Sequence, residues 1–196
     1  MTPNQNPDRK RILFLTPQLP YPPEQGTSIR NYNLIAQVAQ RHDLSLLSFG
    51  RKNPADRGPL AQGCRILRTV PPPSRSASSR LRTLLTTPDP DMAHRLRSPA
   101  FAAALCDLLT HDRYDIVQIE GIELAPYASM IPRMSGERAP AIVFDDHNAE
   151  HLLQRRAFEA DIRSPGRWLA AFYSLVQWRR LARFERQVCQ QADAVL

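Results

Sequence analysis

Three short stretches of this chain carry side chains able to do chemistry. The first is Asp145-Asp146-His147-Asn148, which follows the apolar run Ala141-Ile142-Val143-Phe144. A histidine placed where a buried strand releases the chain can donate to a hydroxyl or take up a proton. Asp146 or Asn148 would orient it. The second stretch is Gln25-Gly26-Thr27-Ser28, with Arg30 close behind. Proline-rich residues Pro17 to Pro23 hold off any helix before it, because proline lacks an N–H and restrains the residue it follows. Thr27 and Ser28 compete as N-caps, and the helix N-terminus they open can turn backbone N–H groups toward an anion. Gly26 would allow close backbone approach, and Arg30 would add a charge-assisted hydrogen bond. The third stretch is Glu120-Gly121, with Glu123, after Ile116-Val117-Gln118-Ile119.

Each stretch also has a purely structural reading. Gly26 can be a turn residue before a capped helix, Asn148 a helix cap, His147 a partner of Asp145, and Glu123 a solvated loop residue. No metal site is expected. Asp89-Pro90-Asp91 sits among threonines and prolines rather than after an apolar strand, and Asp145 and Asp146, adjacent on a strand, point to opposite faces.

The surrounding elements would bring the three stretches to one edge. Ile12-Leu13-Phe14-Leu15 reads as a strand buried on both faces, and Asn31, Leu34, Ile35, Val38 and Ala39 form a helical stripe after Gly26. Leu44 to Phe49 and Arg65 to Val70 give two more strands. Ser76 to Thr86 suits a basic helix, and Ser98-Pro99 starts another with Ser as cap and Pro in the first turn. The strands Ile116–Glu120 and Ala141–Phe144 follow, then a helix from near Ala149 and a long one from Trp168 to about Ala192. Strands alternating with helices predict an α/β fold: a Rossmann-like parallel sheet with helices on both faces, ligands gathering at the strands' carboxyl ends. Residues 1–10 read as a flexible N-terminus and residues 11–193 as the domain. Ala194-Val195-Leu196 reads as the start of a further buried strand.

With 196 residues, 42% hydrophobic, the chain can bury a full core. Three scattered cysteines without a CxxC spacing suit a reducing, cytoplasmic setting and argue against a disulfide framework. No apolar run has the length of a membrane span, and no apolar segment follows the basic N-terminus as in a signal peptide. The net charge of +7 is concentrated between Arg51 and Ser98, which holds ten Arg/Lys and three Asp/Glu and leaves sixteen of each sign elsewhere. Such a surface attracts polyphosphates or anionic lipid. A solvated arginine-rich loop is the alternative. Nucleic acid is not an expected partner, because no interleaved aromatics or groove-reading helix accompany the charge.

The segments TPQLPYPPEQGTSIRNYNLIAQVAQRHDLSLLSF, YDIVQIEG, FDDHNAEHLLQRRAF and RFERQVCQQADAVL, in that order, resemble the N-terminal domain of GT-B glycosyltransferases of the family-4 type. The resemblance spans nearly the whole chain and is weakest between Arg51 and Ser98. It implies the N-terminal, acceptor-side half of a retaining enzyme that moves a sugar from a nucleotide-sugar donor to a glycan or lipid-linked acceptor. It implies no DxD-bound metal and no cofactor beyond the donor itself. The matching histidine of that family, here His147, contacts the donor sugar beside its anomeric carbon. Gly26, Thr27 and Arg30 would meet the donor diphosphate or the acceptor; Glu120 and Gly121 would meet the acceptor. Most donor contacts would belong to a C-terminal domain absent from this chain, and the isolated chain would be inactive. This chain departs from the family in carrying one glycine at the Gly26 loop where two are common.

Two further expectations stand beside this. One is a non-catalytic Rossmann-like half that docks a separately encoded donor domain. The other is peripheral contact with an anionic membrane at the inner face of the cell, since Trp168, Phe172, Tyr173, Trp178 and the pair Arg179-Arg180 share the last helix. Against the second, the stripe Leu175, Trp178, Ala182 and Cys189 suits packing on the protein's own sheet. Glu185 lies near that stripe and needs a hydrogen-bond partner that the sequence does not name. A dinucleotide-binding oxidoreductase is excluded, because no GxGxxG follows the first strand.

Overall fold

A computed structural model describes residues 9–50, 58–135 and 139–196. The flexible N-terminus expected for residues 1–10 lies outside the described residues except for Arg9 and Lys10, and Arg9 is tied to Asp43 at 3.0 Å. Residues 51–57 of the basic segment also lie outside them.

Six strands form one parallel sheet: β1 (Arg11–Thr16), β2 (Asp43–Phe49), β3 (Ile66–Val70), β4 (Ile116–Glu120), β5 (Ala141–Asp145) and β6 (Ala194–Val195), in the order β3-β2-β1-β4-β5-β6. This is the Rossmann-like order, and its direction of build reverses between β1 and β4, where a crevice opens at the strands' carboxyl ends. The helices are α1 (Gly26–Arg41), α2 (Leu60–Gly63), α3 (Ala77–Thr86), α4 (Asp91–Arg95), α5 (Pro99–His111), α6 (Ile131–Ser135), α7 (Glu150–Ile162) and α8 (Trp168–Gln191), with a 3₁₀ turn at Ala125–Met130.

The sheet is covered on both faces because its strands are apolar at successive positions. Along β1, Ile12 and Phe14 pack with Ile35 of α1, while Leu13 and Leu15 pack with Phe101, Leu105 and Val188 on the other side. Burying each such side chain contributes about 1.5–3 kcal/mol relative to exposure. Phe101 stacks on Phe49 at 4.4 Å and meets Tyr127 at 4.8 Å, and the Tyr127 hydroxyl donates to Leu96 O (2.8 Å) while accepting Ser98 N–H (3.0 Å). That pins the start of α5, where Ser98 caps Phe101 N–H as its sequence predicts. Asp115 and Asp193 accept the backbone N–H groups of Arg11 (2.7 Å) and Ile142 (2.8 Å), satisfying donors at the strands' amino ends.

Two sequence expectations need correction. The last strand pairs with β5 through Val143–Ala194 and Phe144–Val195, yet both its residues are exposed at the edge of the sheet among the described residues. Neither Thr27 nor Ser28 caps α1. Gln25 takes the N-cap position, and Ser28, inside the first turn, accepts Gln25 N–H at 2.9 Å. Among the described residues no helix is long and apolar enough to cross a membrane.

Candidate functional site

The crevice between β1 and β4 collects the three stretches. A cavity of about 290 Å³ is lined there by Gln18, Gln25 and Thr27 from the first loop, Gly121 and Glu123 after β4, and Asp146, His147, Asn148 and Glu150 after β5. The sequence therefore placed Thr27, Gly121, Asp146, His147 and Asn148 at one site. Gly26, Arg30 and Glu120 do not line it.

Glu120 is fully buried at the end of β4, so it does not reach an acceptor in the crevice as expected. Its Oε1 accepts from Gln118 Nε2 at 2.7 Å and its Oε2 accepts from His147 Nε2 at 2.8 Å. An ionised carboxylate can only accept, so Nε2 carries a ring proton, and in the neutral ring Nδ1 is then the acceptor. Nδ1 faces Gly121, lying 3.7 Å from where a Cβ on that residue would sit. Gly121 has φ +87°, which L side chains rarely adopt, and an added Cβ would also stand 3.2 Å from Glu123 Oε2. Backbone conformation and proximity to the histidine both call for glycine there. His147 is thus oriented by Glu120, and neither by Asp146 or Asn148 nor through a pair with Asp145.

Arg30 reaches this group from the second turn of α1. Its Nη2 lies 2.5 Å from Asp145 Oδ2, off the axis of a hydrogen bond, and its Nη1 lies 3.6 Å from Glu120 Oε2. Asp145 and Glu120 are both buried, whereas Arg30 keeps 47% of its side chain exposed. The adjacent carboxylates hold the guanidinium pKa above its ordinary value, led by the Asp145 contact. The residue expected to greet a ligand phosphate instead neutralises two buried acids, with part of its charge still facing solvent. Ligand atoms of Glu120, Asp145 and His147 lie within 4.8 Å of one another. That is a metal-compatible donor set which the strand-alternation argument did not foresee, because it joins two strands. Arg30 already supplies the positive charge these carboxylates need.

Asp146, just past the end of β5, lines the crevice, which Asp145 does not. Burial, then the charges of Glu185 and Glu150, push its carboxyl up to about 6, partly offset by His151 and His147. Burial likewise raises Glu150. The unknown partner of Glu185 is His151. Glu185 accepts His151 N–H at 2.8 Å and pairs with the His151 ring Nδ1. It thereby satisfies a free N–H at the start of α7, a task that Asn148 does not perform, since Ala149 stands at the N-cap. Sequence reasoning passed over His151, although its position one turn after His147 was the available signal.

Neither a family model nor a curated protein matches this chain. Among solved structures it is similar to Phytolacca americana UGT2 complexed with UDP-2fluoro-glucose and pterostilbene, at 13% identity and a TM-score of 0.43 over 79% of this chain and 35% of that one. It is also similar to the Candida albicans trehalose-6-phosphate phosphatase N-terminal domain, at 13% identity and a TM-score of 0.42 over 92% of this chain and 43% of that one. The chain thus spans less than half the length of either. Likeness at this level is loose and describes shared layering of strands and helices; it carries no functional argument.

Proposed function

We propose that this chain is the acceptor-side half of a retaining glycosyltransferase that moves a sugar from a nucleotide-sugar donor to a glycan or lipid-linked acceptor. The observation that carries the reading is the Glu120–His147 pair at the switch point of the sheet, with the first turn of α1 across the same crevice. In this reading His147 Nδ1 accepts from a sugar hydroxyl beside the reacting carbon, and Glu120 fixes the ring. Gln25 and Thr27 bring the helix N-terminus to the donor phosphates. Arg30 stands in for a metal at the two buried carboxylates, so the reaction needs none. The cavity is at the lower end of ligand pockets, roughly 300–1,000 Å³, which suits the sugar end of a donor. The nucleotide would be held mainly by a second domain facing the crevice.

The test is made on an enzyme carrying this chain together with its donor domain. His147→Ala is expected to lower turnover about 10²- to 10⁴-fold while leaving nucleotide affinity nearly unchanged, because the ring meets sugar and not base. Wild-type turnover in that variant would overturn the site. Substantial sugar transfer by residues 1–196 alone would overturn the half-enzyme reading.

A further inference from the structure

The first third of α8 is packed the wrong way round for a helix that serves only its own core. Over its first ten residues the buried ones are Ala171, Ser174 and Gln177, two of them polar, while Trp168 (69% exposed), Leu169, Phe172 (66% exposed) and Tyr173 face outward. At 100° per residue those four side chains form a continuous apolar arc of about 140°. Farther along, Leu181 and Val188 are buried, while the expected stripe of Leu175, Trp178, Ala182 and Cys189 is half-buried.

Beside this arc lies α3, none of whose ten residues is buried although it carries Leu81, Leu84 and Leu85. Leu81 and Tyr173 line one cavity of about 380 Å³ between the two helices. The helices are fastened by polar contacts and not by a shared core. Arg180 donates to the carbonyls of Leu84 (2.9 Å) and Asp89 (3.4 Å), and Gln177 Oε1 accepts Asp91 N–H at 2.8 Å. An apolar surface is therefore left exposed, which a monomer in water does not favour.

The charge around it is mainly positive, although Asp89 and Asp91 line the cavity, Asp91 pairs with Arg75 and Arg80, and Arg167 pairs with Asp161. From Ile162 to Phe184 there are five arginines and no acidic residue, and from Pro71 to Pro88 there are three arginines and none. Arg82 and Arg163 are exposed and adjoin the exposed Leu81 and Ile162 in sequence. Exposed Trp and Phe on a face with an excess of arginine match the boundary of an anionic bilayer, where rings enter the headgroup region and guanidinium groups meet lipid phosphates.

We infer that α3 and the N-terminal third of α8 form a docking surface for anionic lipid bilayers. This does not rest on the glycosyltransferase reading. It moves the lipid contact anticipated for the Arg51–Ser98 segment to a composite face in which α3 supplies charge and α8 supplies most of the apolar insertion.

The test uses the 196-residue chain with vesicles of phosphatidylcholine alone or mixed equally with phosphatidylglycerol. The chain is expected to sediment with the mixed vesicles at ~0.1 M salt and to be released at ~1 M, where the Debye length falls from ~10 Å to ~3 Å. In a Trp178→Phe background, Trp168 fluorescence should shift to the blue on binding. Leu169→Glu with Phe172→Glu should abolish binding while thermal unfolding stays as in wild type, since both positions are exposed. Arg82→Ala and Arg163→Ala should each weaken binding about fivefold without touching the apolar arc, a check that holds even if the glutamate pair misfolds. Equal binding to neutral vesicles, binding untouched by these variants, or an unshifted Trp168 would overturn the proposal. So would a dimer broken by the glutamate pair in a chain that ignores both vesicle types, which would assign the face to a second copy.

Discussion

Replacing Asp146 by asparagine should stabilise this protein at neutral pH and not in acid. The Asp146 carboxyl ionises near pH 6 in the folded chain against an ordinary 3.8, first because it is buried and then because Glu185 and Glu150 face it. A carboxyl raised on folding makes the folded state hold its proton more tightly than the unfolded state. Above pH 6 both states are ionised and the destabilisation is complete and constant. Between pH 6 and 3.8 the folded state is protonated and the unfolded state is not, so stability rises as pH falls through that window. Below 3.8 both are protonated and the cost is gone. A gap of about two pH units at 1.36 kcal/mol each sets an upper figure of about 3 kcal/mol; partial exposure to water lowers it to about 2 kcal/mol. Urea unfolding of wild type and Asp146→Asn at pH 8 should therefore differ by about that amount in favour of the variant, roughly 4–8 °C in Tm for a chain of this size. At pH 3.5 the two should coincide. An equal difference at both pH values, or a less stable variant at pH 8, would refute the argument.

Gly121→Ala should cost about 1–2 kcal/mol, because φ +87° is strained for any side chain, whereas the nearby Glu123 carboxylate can swing aside; urea midpoints at unchanged slope would show it. Gly26→Ala should alter stability by less than about 1 kcal/mol, since no atom lies within 4 Å of the added Cβ and the backbone is not left-handed, so any loss of sugar-phosphate affinity by titration would report close ligand approach and not misfolding. Glu185→Ala should destabilise by about 1–3 kcal/mol by orphaning His151 N–H and its ring. Combined with Asp146→Asn it should be non-additive, because Glu185 is part of what raises Asp146.

The sequence alone determined the sheet and which strand ends share a crevice. Four-residue apolar runs such as Ile12–Leu15 and Ala141–Phe144 are best satisfied by burial on both faces, and helix-length connections between them force parallel neighbours. Period and composition are local properties, so the strands, the cap at Ser98 and the meeting of Thr27, Gly121 and His147 at the strands' carboxyl ends were legible. Pairing between acids and bases was not. That Glu120 turns inward to hold His147, that Arg30 leaves the ligand side to neutralise Asp145, and that Glu185 serves His151 all depend on which strand ends and helices come side by side. The same holds for α8, whose stripe was read as one packed face. The strands are at most seven residues long, so a 24-residue helix outruns the sheet, and its first turns were free to face outward with their tryptophan and phenylalanine. Residue type sets which groups require a partner; the separation of the strand ends in space decides which partner each one gets.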